Sequence, residues 1–132
     1  MRYDYVTVIP FSLQEEEMAL VQVSEAQGNI PVTIFQLQDR VNLGNYKELE
    51  VSAKEAYENG MRDLVIDLSK SDSLTSIGIR ALVVIHKMLS TESGNHFKLA
   101  GVMPAIRDML EVAGITQFIK MQDKVDEAVS SF

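Results

Sequence analysis

Hydrophobic and polar residues change period several times along this chain, and the changes mark its elements. Leu64-Val65-Ile66 is an unbroken apolar run closed by Asp67, the pattern of a short strand covered on both faces. Gly78, Ala81, Leu82, Ile85, Met88 and Leu89 then recur three and four positions apart, which is one apolar face of a helix. Between them, Ser69 to Ser76 is crowded with serines, a threonine and Asp72. Short oxygens of this kind accept from the unpaired amides that open a helix, so the spacing predicts a strand, an ordered polar loop and a helix.

The flanking pattern extends this unit in both directions. Met18 to Glu25 and Pro31 to Leu37 are β-like runs on either side of Gln27-Gly28-Asn29, a composition suited to a hairpin turn, and Pro31 belongs at the start of its strand because it cannot donate to a ladder. Val41 to Asn45 leads into a helix from Tyr46 to Glu58, with Leu49, Ala53, Ala56 and Tyr57 on one side and Asn59-Gly60 ending it. After the central helix, Ser93-Gly94-Asn95 turns the chain into a buried strand over Phe97 to Gly101. Pro104 opens a helix running to about Val112, with Ile106, Met109 and Leu110 inward, and Gly114 closes it. Phe118-Ile119 is expected to be a last, very short strand, and Lys124 to Ser131 a closing helix with Val125, Ala128 and Val129 on one face. Strands alternating with helices indicate an α/β architecture. Residues 1–17 fit least well. Tyr3 to Ile9 alternates, Pro10 interrupts it and Glu15 to Glu17 is acidic, so this stretch is expected to be an N-terminal extension that adds an edge strand, or a partner-specific arm, ahead of a domain over 18–132.

Composition narrows the function classes. The 132 residues amount to one domain, and a formal net charge of −7 argues against a sequence-independent hold on nucleic acid, which needs a basic stripe. Without cysteine, thiolate catalysis and cysteine-based zinc sites are excluded. Apolar runs fall short of the roughly 20 residues a membrane span requires, and the acidic start is unlike a signal peptide, so a cytoplasmic protein that does not insert in membranes is expected. His86 and His96 are ten positions apart without metal-ligand spacing, Ser69 and Ser76 have no sequence-defined base, and Gly78 stands alone where a phosphate loop would need several glycines. The expectation is a non-enzymatic domain without metal or cofactor.

Asp67-Leu68-Ser69 followed by Leu74-Thr75-Ser76-Ile77-Gly78-Ile79 resembles the signature of STAS domains, the fold of bacterial anti-sigma factor antagonists, and the likeness covers roughly residues 18–132. It implies a mixed four- to five-stranded sheet packed against about four helices. Ser76 falls on the serine that partner kinases phosphorylate in that family and Gly78 on its glycine. Thr75 stands where the family usually has Asp, and Ile77 where it usually has a small residue. The resemblance implies a regulatory protein that binds an anti-sigma factor with serine kinase activity and is released when phosphorylated.

Residue by residue, two accounts stay open. Ser76, or Thr75 or Ser73, caps the helix, or one of them, Ser76 before the others, accepts phosphate. A phosphate there would add roughly −1.5 to −2 charges at a helix start that tolerates them, while repelling a partner packed on the same surface. Ser76, Arg80, Val83 and Lys87 share a helix stripe opposite Ala81, Ile85 and Met88, either a solvated face or a docking face. With Asn42 in the turn after the second hairpin strand and Ser69, Asp72, Ser73, Thr75, Ile77 and Gly78 in the loop and helix start, these are the expected partner-contact residues. Asp67 is expected to order the loop. A scaffold subunit that ignores phosphorylation and a small-ligand or nucleotide sensor are the competing functions, and a homodimer is compatible with each.

Overall fold

The computed structural model describes residues 5–7, 19–90 and 96–132. Its elements run β1 (Tyr5–Thr7), β2 (Val21–Gln27), β3 (Pro31–Leu37), α1 (Tyr46–Glu58), β4 (Leu64–Asp67), α2 (Ser76–Leu89), β5 (Phe97–Ala100), α3 (Pro104–Val112), a 3-10 turn (Ile115–Gln117), β6 (Lys120–Gln122) and α4 (Val125–Ser130). All six strands form one sheet in chain order. β1 and β2, and β2 and β3, pair antiparallel, whereas β3 to β6 are mutually parallel. The carboxyl ends of four strands therefore open on one rim, where ligands and partners of parallel sheets commonly bind.

Strand alternation divides the core in two. Phe35, Ile66, Leu99 and Met121 are in register across β3 to β6 and point to one face. There they join Leu49 and Ala53 of α1, Ala81, Leu82, Ile85 and Leu89 of α2, and Ile106 and Leu110 of α3 in the larger cluster. On the other face Ala26, Val32, Ile34, Val65 and Ala100 meet Ala128 and Val129 of α4. Lys98 lies on this second face, 3% exposed, and its Nζ donates to the Ser131 carbonyl at 2.8 Å and hydroxyl at 2.7 Å, 4.2 Å from the centre of the Phe132 ring. Burial and the like charge of Lys120 push its pKa below the usual lysine range.

Helix α1 and strand β3 keep the bounds read from the pattern, and Pro31 does begin its strand. Other expectations are corrected. The hairpin's first strand starts at Val21, later than Met18, and continues to Gln27. The last strand is Lys120–Gln122, not Phe118-Ile119. Gly114 adopts φ +79, a 3-10 turn follows it, and Ile119 packs into the core before pairing with β5 begins. Met109 is 40% exposed, because α3 turns only the narrow stripe of Ile106 and Leu110 inward. The expected Ser93-Gly94-Asn95 turn, Pro10 and the acidic run at Glu15 to Glu17 lie outside the described residues.

Candidate functional site

Two loops leave the rim side by side, one after β3 and one after β4, and short side chains fasten them together. Ser71 Oγ donates to the Asp39 carbonyl at 2.9 Å, Thr75 Oγ1 donates to the Val41 carbonyl at 2.8 Å, and Lys70 Nζ donates to Gln38 Oε1 at 3.1 Å. Ser71 is buried, so losing its hydroxyl would strand a carbonyl in a poorly hydrated seam. Each loop is also ordered internally. Asn42 Oδ1 accepts from the Gly44 amide, and the Asn42 amide donates to Asn45 Oδ1, both at 2.8 Å, which folds the approach to α1. Asp67 Oδ1 accepts from the Ser69 amide at 2.9 Å while Oδ2 accepts from Gln36 Nε2 at 3.2 Å. Gly101, at φ +65, passes against this turn, and a β-carbon there would lie 2.8 Å from Asp67 Oδ1 and 3.0 Å from Ser69 Cβ. Only glycine meets both the backbone conformation and the close approach.

Helix α2 grows out of this platform. Thr75 is its N-cap residue, with φ −87 and ψ 166, and its hydroxyl accepts from the Gly78 amide at 3.1 Å while donating to Val41. One hydroxyl thus satisfies a free amide of the helix and ties the helix start to the neighbouring loop. Capping therefore belongs to Thr75. Ser76, the first helical residue, is exposed, and its hydroxyl makes no hydrogen bond to any described residue.

Of the other candidate residues, Ser69, Asp72, Arg80 and Lys87 are exposed, and Asn42, Ser73, Ile77 and Val83 are partly buried. Gly78 is buried, so it is removed from the surface a partner could touch. A β-carbon on it would come within 2.6 Å of Leu74 Cδ1 and 3.2 Å of Val41 Cβ. The outer stripe of α2 is also corrected by one position: Val83 packs against the larger core, and Val84, 43% exposed, lies between Arg80 and Lys87. The surface is then Ser76, Arg80, Val84 and Lys87 on the helix beside Ser69, Lys70 and Asp72 on the loop. It carries three cations against one carboxylate, in a chain whose net charge is −7. His86 is partly buried, its ring centre 4.8 Å from that of Phe118, and burial lowers its pKa below 6.5. Among the described residues no group of three His, Asp or Glu side chains could hold a metal ion, and no helix is long and apolar enough to cross a membrane.

The pattern reading missed Ser71 and Val84. A serine whose partner is a carbonyl 32 residues away carries no local signal, although its place in a Ser-rich loop after a strand was visible.

Comparison with known proteins agrees with this geometry. The STAS domain family model matches residues 22–128. A candidate anti-sigma factor antagonist of Bordetella bronchiseptica, BtrV, is 27% identical over 96 residues, covering 73% of this chain and 82% of BtrV. Among solved structures, a STAS-domain anti-sigma-factor antagonist from Planctomyces limnophilus superposes with a TM-score of 0.75 at 21% identity, covering 86% of this chain and 98% of that one. The Bacillus cell fate determinant SpoIIAA in its phosphorylated form superposes with a TM-score of 0.65 at 14% identity, covering 84% and 97%. A parallel-stranded rim with a helix capped beside an exposed serine, and a family match over most of the chain, lead to one conclusion: this chain belongs to the STAS domain family.

Proposed function

We propose that this domain is an anti-sigma factor antagonist that docks an anti-sigma factor on the outer face of α2 and the loop before it, and that transfer of a phosphoryl group from ATP to Ser76 ends the interaction. The observation that carries the proposal is the division of labour between adjacent hydroxyls. Thr75 holds the helix start through two hydrogen bonds, which leaves Ser76 exposed and unused by the fold. Phosphate on Ser76 would therefore leave the domain folded, and free amides and the helix dipole at that end tolerate the charge. A protein packed over the same helix start would meet a dianion that it must desolvate, at a cost of several kcal/mol if no cation answers it. Relatives named as anti-sigma factor antagonists, and a phosphorylated SpoIIAA of the same fold, support this reading. The domain itself acts by occupancy, without catalysis, in the cytoplasm where sigma factors and ATP are found.

The test is intact-mass analysis of the chain incubated with ATP and the anti-sigma kinase of the same genome. A gain of one phosphate that is lost in Ser76→Ala supports the proposal. An unmodified chain, or a Ser76→Ala variant that is still modified, rejects the switch, and stable co-purification that ignores ATP would identify a scaffold subunit instead.

A further inference from the structure

We propose that Arg80 is the internal partner of the modification: once Ser76 carries a phosphate, the Arg80 guanidinium closes onto it, donating to its oxygens, and is withdrawn from the docking face. The inference rests on the docking and phosphorylation proposed above and concerns how the modification acts. Ser76 and Arg80 are four residues apart in α2, and both are exposed. Residues at this separation lie one above the other with β-carbons about 5–6 Å apart. Direction favours the pair as well, because long helical side chains lean back toward the preceding turn, which carries Arg80 over Ser76. An acidic group N-terminal to a base at this spacing is the favourable order.

Its place one turn after Ser76 on the same helix face, together with its availability, distinguishes Arg80 from the other cations nearby. Its guanidinium makes no ion pair or hydrogen bond to any described residue, so it is free to engage a carboxylate of a partner. Lys70, by contrast, already donates to Gln38, and Lys87 is about three turns along the helix from Ser76. The remaining charged groups on the two loops are Asp39, Arg40 and Asp72, and the carboxylates among them repel a phosphate. A planar guanidinium takes two phosphate oxygens at once, which an ammonium cannot. Phosphorylation then changes the face twice over, by adding negative charge at Ser76 and by removing the cation at Arg80 that a partner's carboxylate would use.

The experiment uses the full chain with phosphoserine incorporated at position 76 during translation, so it requires neither kinase nor partner. Phosphorus NMR follows the second ionisation of the phosphate, which lies near pH 6 when unperturbed. This ionisation should lie roughly a few tenths of a pH unit lower with Arg80 present than in Arg80→Gln, with Arg80→Lys between the two, since the lowering by the helix start is common to all three. In the same samples the Arg80 Nε proton should sharpen and exchange more slowly on phosphorylation. Thermal midpoints of the unmodified variants should match the parent, since Arg80 is exposed. Superimposable titrations of the parent and Arg80→Gln would overturn the capture. A titration of the expected form in a chain never phosphorylated on Ser76 in its own cells would support the capture and overturn the functional proposal, so the two failures are distinguishable.

Discussion

The two faces of the sheet are unequal. One carries large side chains, Phe35, Ile66, Leu82, Ile85, Leu99 and Leu110 among them, beneath three helices. The other is closed mostly by smaller ones, Ala26, Val32, Val65, Ala100, Ala128 and Val129 around Ile34, beneath the single short helix α4. Burial of apolar surface scales with area, so the first face supplies most of the stability and the second adds a thinner layer. The candidate site belongs to the first, because α2 has its inner stripe in the large cluster and its outer stripe in solvent. A rigid core behind an exposed face allows charge to be added on the outside without moving the inside.

The largest effect should come from the larger face. Leu82, fully buried, leaves a cavity in Leu82→Ala that costs about 3 kcal/mol, while Val65→Ala beneath α4 should cost about 2 kcal/mol. Urea denaturation of both variants checks the ranking. Equal losses would mean that the second layer bears as much as the first, and the asymmetry would be gone.

A smaller effect probes the seam between the two rim loops. Thr75→Ala removes both the acceptor for Gly78 and the donor to Val41 and should cost about 1.5 kcal/mol. Thr75→Ser keeps both bonds and should stay near the parent. Thr75→Asp keeps the cap and loses the donor, so it should fall between the two. Hydrogen exchange at the Gly78 amide separates these cases: protection should persist in Thr75→Asp and drop in Thr75→Ala. Equal protection in all three would show that the cap contributes nothing.

These contrasts explain what the pattern of residues disclosed. Helix α1 and strand β3 were legible because Leu49 and Ala53, or the run from Val32 to Leu37, carry their period within a few residues. The strand, loop and helix at the centre were legible for the same reason, and the serines of the loop announced a capped helix. Strand β6 was not, since Lys120-Met121-Gln122 has no β pattern of its own and is a strand only because β5 offers it partners. Lys98 was equally opaque: it is one charged residue in a four-residue buried strand, and its neutral partners, the Ser131 oxygens, lie 33 residues away. The choice of Thr75 over Ser76 as the cap also depended on distance in the chain, because the Val41 carbonyl that orients the threonine comes from another loop. Within the site, local chemistry named the right stretch, and contacts between loops assigned the roles.

The smallest effect tests whether the larger face extends to its outer margin, where His86 of α2 meets Phe118 after the 3-10 turn at an interplanar angle of 45°. Burial lowers the His86 pKa from 6.5, so the folded chain holds this proton less tightly than the unfolded chain. Between the two values the unfolded state binds more protons, and stability must rise with pH across that window. The contribution is complete above pH 6.5 and is lost as pH falls through the folded value. His86→Phe keeps a ring against Phe118 and has no proton to gain, whereas the carboxylates and His96 are the same in both chains. The stability difference between parent and variant should therefore change with pH only in that window, the parent losing ground as acid is added. Parallel curves down to about pH 5 would mean that the imidazole is as well hydrated in the fold as out of it, and that the core ends before reaching Phe118.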